Sequence, residues 1–194
     1  MLQPLLKQQT LSTEILLYVL KWCQLFPNNH NTLQRFAQLG PRLFQDELAE
    51  EVCITAKAIL EPWLCKPHLP KEVEMCIYRV FSYIVGARSL QKEPYHERID
   101  DLFVQWFQNP VSFGGQLTHR NNQRKPYFQR FLYLIRQEKL SIERDREAIK
   151  RFLIWVNLWE FSNKDDIYKS IDYLKSNYPD PELWEIVRFE SEAV

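Results

Sequence analysis

At 194 residues the chain is long enough for one large domain or two small helical lobes, and its 45% apolar and 26% charged composition is that of a globular protein rather than a disordered one. The formal net charge is zero, which excludes bulk electrostatic attraction to nucleic acid but permits a local patch. No apolar run reaches the ~18 residues of a membrane span, and the N-terminus lacks a charged n-region and a small-residue cleavage site, so a cytoplasmic protein is expected.

Aromatic residues make up 14% of the chain and glycine occurs only four times, which suits a rigid, closely packed helical body. Ser12 or Thr13 is placed to cap a helix to about Phe26, with Ile15, Leu16, Val19, Leu20 and Cys23 at helical spacing. A short helix over Thr32–Leu39 should close at Gly40-Pro41. A third is expected from Arg42 to about Leu60, with Leu43, Leu48, Val52 and Ile59 inside and Asp46, Glu47, Glu50 and Glu51 outside. Three prolines in EPWLCKPHLP then break the pattern, as a lobe linker or a rigid corner. Pro70 or Lys71 opens a strongly apolar helix, and another runs from about Pro94 to Gln108. Pro126 starts a helix whose core stripe is Phe128, Phe131, Leu132 and Ile135. Ser141 begins a charged first turn leading into FLIWVNLWEF, Ser162 or Asn163 caps a helix to about Asn177, and Asp180-Pro181 caps a short terminal one ending near Phe189. Phe131, Leu132, Ile135, Phe152, Trp155 and Val156 are the expected core of the second half. No stretch alternates with period two, so the fold class is all-α, with about eight to ten helices as a compact bundle or as two small lobes. The expected division is an N-terminal helical lobe over residues 1–108 and a C-terminal lobe with a basic loop over residues 109–194.

The sharpest compositional break lies between Leu102 and Gln137. That window contains no Asp or Glu, yet holds Arg120, Arg124, Lys125, Arg130 and Arg136, five of the chain's 25 Lys and Arg. Its first part, Asn109 to Lys125, reads as a loop of ~15 residues, a length that is usually functional or mobile. Nucleic-acid binding needs cations that no neighbouring carboxylate neutralises. Gly114-Gly115 lets backbone approach a ligand closely, and Phe113, Tyr127 and Tyr133 offer stacking surfaces. The plainer alternative is a solvated loop before an ordinary amphipathic helix, its rings simply core.

Other chemistry has weaker signals. Gly114-Gly115-Gln116 is similar to the hydrolysis loop of translation release factors, but that family's surrounding α/β domain is missing. Cys65, His68 and Cys76 have partial zinc-ligand spacing without a second close pair, so no metal is expected. Cys23, Cys53, Cys65 and Cys76 form no CxxC and read as buried free thiols. The acids cluster on solvated faces, no histidine has a nucleophile partner, and no phosphate-binding glycine motif occurs. Neither an enzyme nor a cofactor is expected.

The order of motifs from Glu74 to Trp184 resembles the small subunit of the type I-E CRISPR Cascade effector, the CasB family. The parallels are Phe81 to Val85, Phe113-Gly114, the basic run His119 to Lys125, Arg130 to Arg136, Ala148 to Leu153, and Tyr178-Pro179-Asp180. Leu33 to Phe36 stands where that family has a Leu-Arg-Arg helix, and Gln129 where a second arginine often precedes Arg-Phe. The resemblance implies a non-catalytic, all-helical subunit that sits in pairs along an RNA-guided surveillance complex. There Arg120, Arg124, Lys125, Arg130, Arg136, Lys150 and Arg151 would contact guide RNA, target DNA and the displaced strand of the R-loop. A neutral surface rich in Trp and Tyr would face other effector subunits. The competing class is a helical protein–protein adaptor, its positive segment meeting an acidic partner.

Overall fold

A computed structural model describes residues 11–92, 95–109, 125–156 and 165–185. Among the described residues are nine α-helices and no strand, so the fold is all-α. The chain forms two compact units, Met1–Asn109 and Pro110–Val194.

In the first unit α1 (Thr13–Leu25) starts where the Ser12 hydroxyl accepts a hydrogen bond from the Ile15 N–H at 3.4 Å. Asn29 caps α2 (His30–Leu39) by accepting from the Asn31 N–H at 2.8 Å. Gly40 ends α2 at φ 45° and ψ −128°, a positive-φ conformation that an L side chain rarely adopts. A Cβ there would also lie 3.0 Å from the Tyr83 ring.

The helix expected from Arg42 to Leu60 is displaced. Two 3₁₀ turns, Gly40–Leu43 and Asp46–Leu48, precede α3 (Ala49–Leu64). Leu43 and Leu48 are both buried, yet five residues on one α-helix are about 140° apart, so the chain turns twice to bring both inside. At the other end α3 runs through Pro62, which has no N–H to give the Ala58 carbonyl, and the break falls only after Leu64. α4 (Lys71–Gly86) and α5 (Tyr95–Gln108) complete the unit. α4 packs on α2, while α3 packs on both α1 and α5. Phe81 and Trp106 stack at 4.7 Å between ring centroids, with Phe103 edge-on to Phe81 at 5.8 Å. Asn109 is buried and donates to the carbonyls of Leu64 and Lys66, which joins the end of α5 to the end of α3 and satisfies the last carbonyl the helix leaves open, that of Leu64.

The second unit is built on α6 (Lys125–Arg136) and α7 (Arg146–Val156), which pack on each other. All six residues expected to form its core are buried, and the Phe131 and Phe152 rings meet at 5.0 Å. α7 begins later than its charged first turn suggests. Ser141 to Asp145 form turns, because the Asp145 carboxylate accepts from the Ser141 N–H at 2.9 Å and its carbonyl takes the first helical bond, from the Ile149 N–H. α8 (Asp165–Asn177) and α9 (Pro181–Glu185) follow. Asp180 caps α9 as its sequence implies, accepting from the Leu183 N–H at 3.0 Å. The proposed caps Ser162 and Asn163, and the end of the last helix at Phe189, lie outside the described residues.

Candidate nucleic-acid interface

α6 presents two opposite surfaces because its apolar residues recur at helical spacing. Tyr127, Phe128, Phe131, Leu134 and Ile135 are buried. Gln129, Arg136 and Gln137 are exposed, Arg130 is half-buried at the edge of the outer surface, and Tyr133 is half-buried within it. Arg130 and Arg136 are six residues apart, so they stand about 9 Å apart along the axis and about 120° apart around it, with Tyr133 between. Each guanidinium lies over a ring. Arg130 is 4.8 Å from the Tyr133 centroid, one turn away, and Arg136 is 5.0 Å from that of Tyr173 on α8. Such cation–π contacts hold an arginine in place without neutralising it.

Two other arginines of this unit are neutralised. Arg144 meets Asp145 at 2.8 Å, and Arg146 meets both Asp180 and Glu182 at 2.7 Å. Those hydrogen bonds raise the Arg146 pKa and lower that of Asp180, so both stay charged. Arg136 makes no ion pair among the described residues. The sign of the surface changes just beyond it, where Glu138 and Glu143 border an open cleft of about 420 Å³ floored by Ile135, Leu140 and Ile142.

The structure brings together some of the residues proposed from sequence. Arg130 and Arg136 share α6, with Lys125 as its first residue. Lys150 is exposed and Arg151 half-buried on α7, separated by about 100° around that helix, with exposed Glu147 close to both on the wheel. Arg120, Arg124, Phe113 and Gly114-Gly115-Gln116 lie outside the described residues.

Three expectations need correction. Tyr127 is fully buried against Trp155 at 5.4 Å and offers no stacking surface. Among the described residues the surface is not rich in tryptophan, since Trp63, Trp106, Trp155 and Trp184 are buried and Trp22 is half-buried. Their large apolar area favours the core even where the indole N–H finds one acceptor, as that of Trp184 does in the Tyr178 carbonyl at 2.7 Å. Cys65 is exposed, because α3 ends there and the proline-rich corner carries it outward. No group of His, Cys, Asp and Glu able to hold a metal occurs among the described residues, and no helix there is long and apolar enough to cross a membrane.

Family models, curated proteins and solved structures give no match to this chain.

Tyr173 is the residue that sequence reasoning missed. It is 38% exposed in a helix of ordinary amphipathic pattern, and nothing near it in the sequence marks it as a neighbour of Arg136. Exposed Lys169 lies one turn before it on the same side, and Asp172 flanks it.

Proposed function

We propose that the chain is a non-catalytic helical subunit of an RNA-guided CRISPR surveillance complex. In this reading it braces guide RNA and target DNA and holds the displaced strand through the outer face of α6. The observation that carries the reading is the contrast among the arginines. Arg144 and Arg146 are consumed by carboxylates, whereas Arg136 rests on an aromatic ring and meets no carboxylate among the described residues. A cation held in position but not neutralised is available to a phosphate and releases a counterion when it binds one. R-loop formation is a near-balanced exchange of duplexes, so a few backbone contacts of this kind can tip it. They carry no sequence information, which suits a subunit that must accept any target.

The test is fluorescence anisotropy of two unrelated single-stranded oligonucleotides across a salt series, with the assembled complex used if the isolated chain binds weakly. Replacing Arg124 and Lys125 together by Ala should lower the salt slope by about 1.4, at ~0.7 per phosphate contact, equally for both sequences. An unchanged slope, or a loss confined to one sequence, refutes the reading.

A second reading, a protein–protein adaptor, is favoured by α1. Tyr18 is 64% exposed, Leu25 72% and Phe26 49%, with Trp22 half-buried among them. These residues recur at four, seven and eight positions from Tyr18 and so line one side of the helix. An apolar stripe of this kind marks an interaction surface. The two readings are compatible in a multi-subunit complex, where α1 would meet a neighbouring subunit or a second copy.

A further inference from the structure

We infer that Arg136 and Tyr173 form a seat for one unpaired nucleotide, so that this face of the second unit selects single strands over duplex. The inference rests on the nucleic-acid reading above and adds to it a substrate class and a residue, Tyr173.

Three observations converge. First, the two side chains come from different helices, α6 and α8, and meet with the guanidinium 5.0 Å from the ring centroid. Second, both are accessible: Arg136 is exposed, and Tyr173 is one of the large apolar side chains left outside the core. Third, neither makes an ion pair or a side-chain hydrogen bond to a described residue, so the pair has no other structural duty on view. A tyrosine that serves only the core would be buried, as Tyr127 is. An arginine that serves only the fold would meet a carboxylate, as Arg146 does.

The chemistry follows from the two groups. A guanidinium donates to phosphate through its N–H edge and stacks through its face, and a phenol ring stacks a base of any identity. A base can use such a surface only when it is unstacked from its neighbours and unpaired, which a duplex does not offer. Lys169, one turn from Tyr173, supplies a second cation on the same side for the adjoining phosphate. A lysine in place of Arg136 would keep the charge and lose the planar stack. Charge and stacking can therefore be separated by substitution.

The experiment compares wild type, Arg136→Lys, Tyr173→Leu and Tyr173→Phe by anisotropy against a labelled single-stranded oligonucleotide and the matching duplex, over a salt series. Circular dichroism melts confirm that each variant is folded. Tyr173→Leu and Arg136→Lys should each weaken single-strand binding about tenfold, with the salt slope and duplex affinity held. Tyr173→Phe, which keeps the ring, should restore wild-type single-strand affinity. Single-strand affinity unaffected by Tyr173→Leu, or lost equally for strand and duplex, overturns the seat while leaving the α6 phosphate contacts standing. If the wild-type protein binds neither oligonucleotide, alone or in the assembled complex, the nucleic-acid reading itself fails, and the seat with it.

Discussion

Glu138 occupies a position where helices usually place glycine. Its φ is 56°, and it stands at the C′ position of α6, where its N–H reaches the Ile135 carbonyl at 3.1 Å and the Lys139 N–H reaches that of Leu134 at 3.0 Å. That pair of bonds is the Schellman closure, and a left-handed residue is what makes it fit. For an L side chain the conformation costs roughly 1–2 kcal/mol, partly offset by the smaller chain entropy a non-glycine residue has when unfolded. Glu138→Gly should therefore stabilise the second unit by about 0.5–1 kcal/mol in a urea titration. A destabilised variant would mean that the carboxylate makes a compensating interaction. The expense falls at the border between the basic face of α6 and the acidic cleft, where Glu138 contributes one of the two carboxylates. Gly40 shows the reverse case, since its positive φ and the Tyr83 ring both exclude a side chain.

At the scale of elements, Arg146 ties the start of α7 to the start of α9. It is 2.7 Å from both Asp180 and Glu182, while Asp180 also caps α9 through the Leu183 N–H. The Arg146 hydrogen bond, with help from the backbone bond to Leu183, holds the Asp180 carboxyl below its usual range. A depressed folded-state pKa means that the stabilisation is fully present above the unfolded value of about 3.9. It is lost as the pH falls through the folded value. Asp180→Asn keeps a good capping residue and removes the charge. In melts recorded from pH 7 down to pH 2, the variant should be less stable than wild type at neutral pH and converge with it in acid. Parallel curves across that range would show that the ion pair contributes no pH-dependent stability. α6 has a different task from α7. Its inner face supplies Phe128, Phe131 and Ile135 to the core, and its outer face carries Arg136, which makes no ion pair among the described residues.

At the scale of the whole molecule, a neutral protein separates its charges along the chain. The window from Leu102 to Gln137 has only bases, so every acid lies outside it. The thiols are segregated too, since all four cysteines belong to the first unit. Burial pushes the Cys23 thiol up to about 12 and Cys53 to about 11, and raises Cys76 as well. The thiolate is the reactive form, so these three should be inert while the unit is folded. A thiol-reactive reagent added to native protein should label Cys65 rapidly and the others only as the first unit opens. Rapid labelling of more than one equivalent would show that the core around α1 and α3 is loose. The slow phase gives a direct measure of opening in this unit.

Helical periodicity is local, and so the all-α class was legible in the sequence: the core stripe of α6, the cap at Ser12 and the Asp180-Pro181 start of α9 all follow from residues within a turn or two of one another. The bias of charge was legible for the same reason. Boundaries set by longer-range packing were not. Leu43 and Leu48 had to enter one core from a chain that could not reach it as a single helix, and α3 continued through Pro62 because burying Trp63 and Leu64 outweighs the hydrogen bond the proline removes. Exposure of aromatic rings was equally hidden, since Tyr127 and Tyr173 have similar local patterns but one meets Trp155 in the core and the other meets Arg136 at the surface. The sequence by itself determined the helices and the placement of charge along the chain, because both depend on near neighbours. Only the tertiary structure decided that Arg146 is neutralised while Arg136 rests on a ring, because their partners lie 34 to 37 residues away.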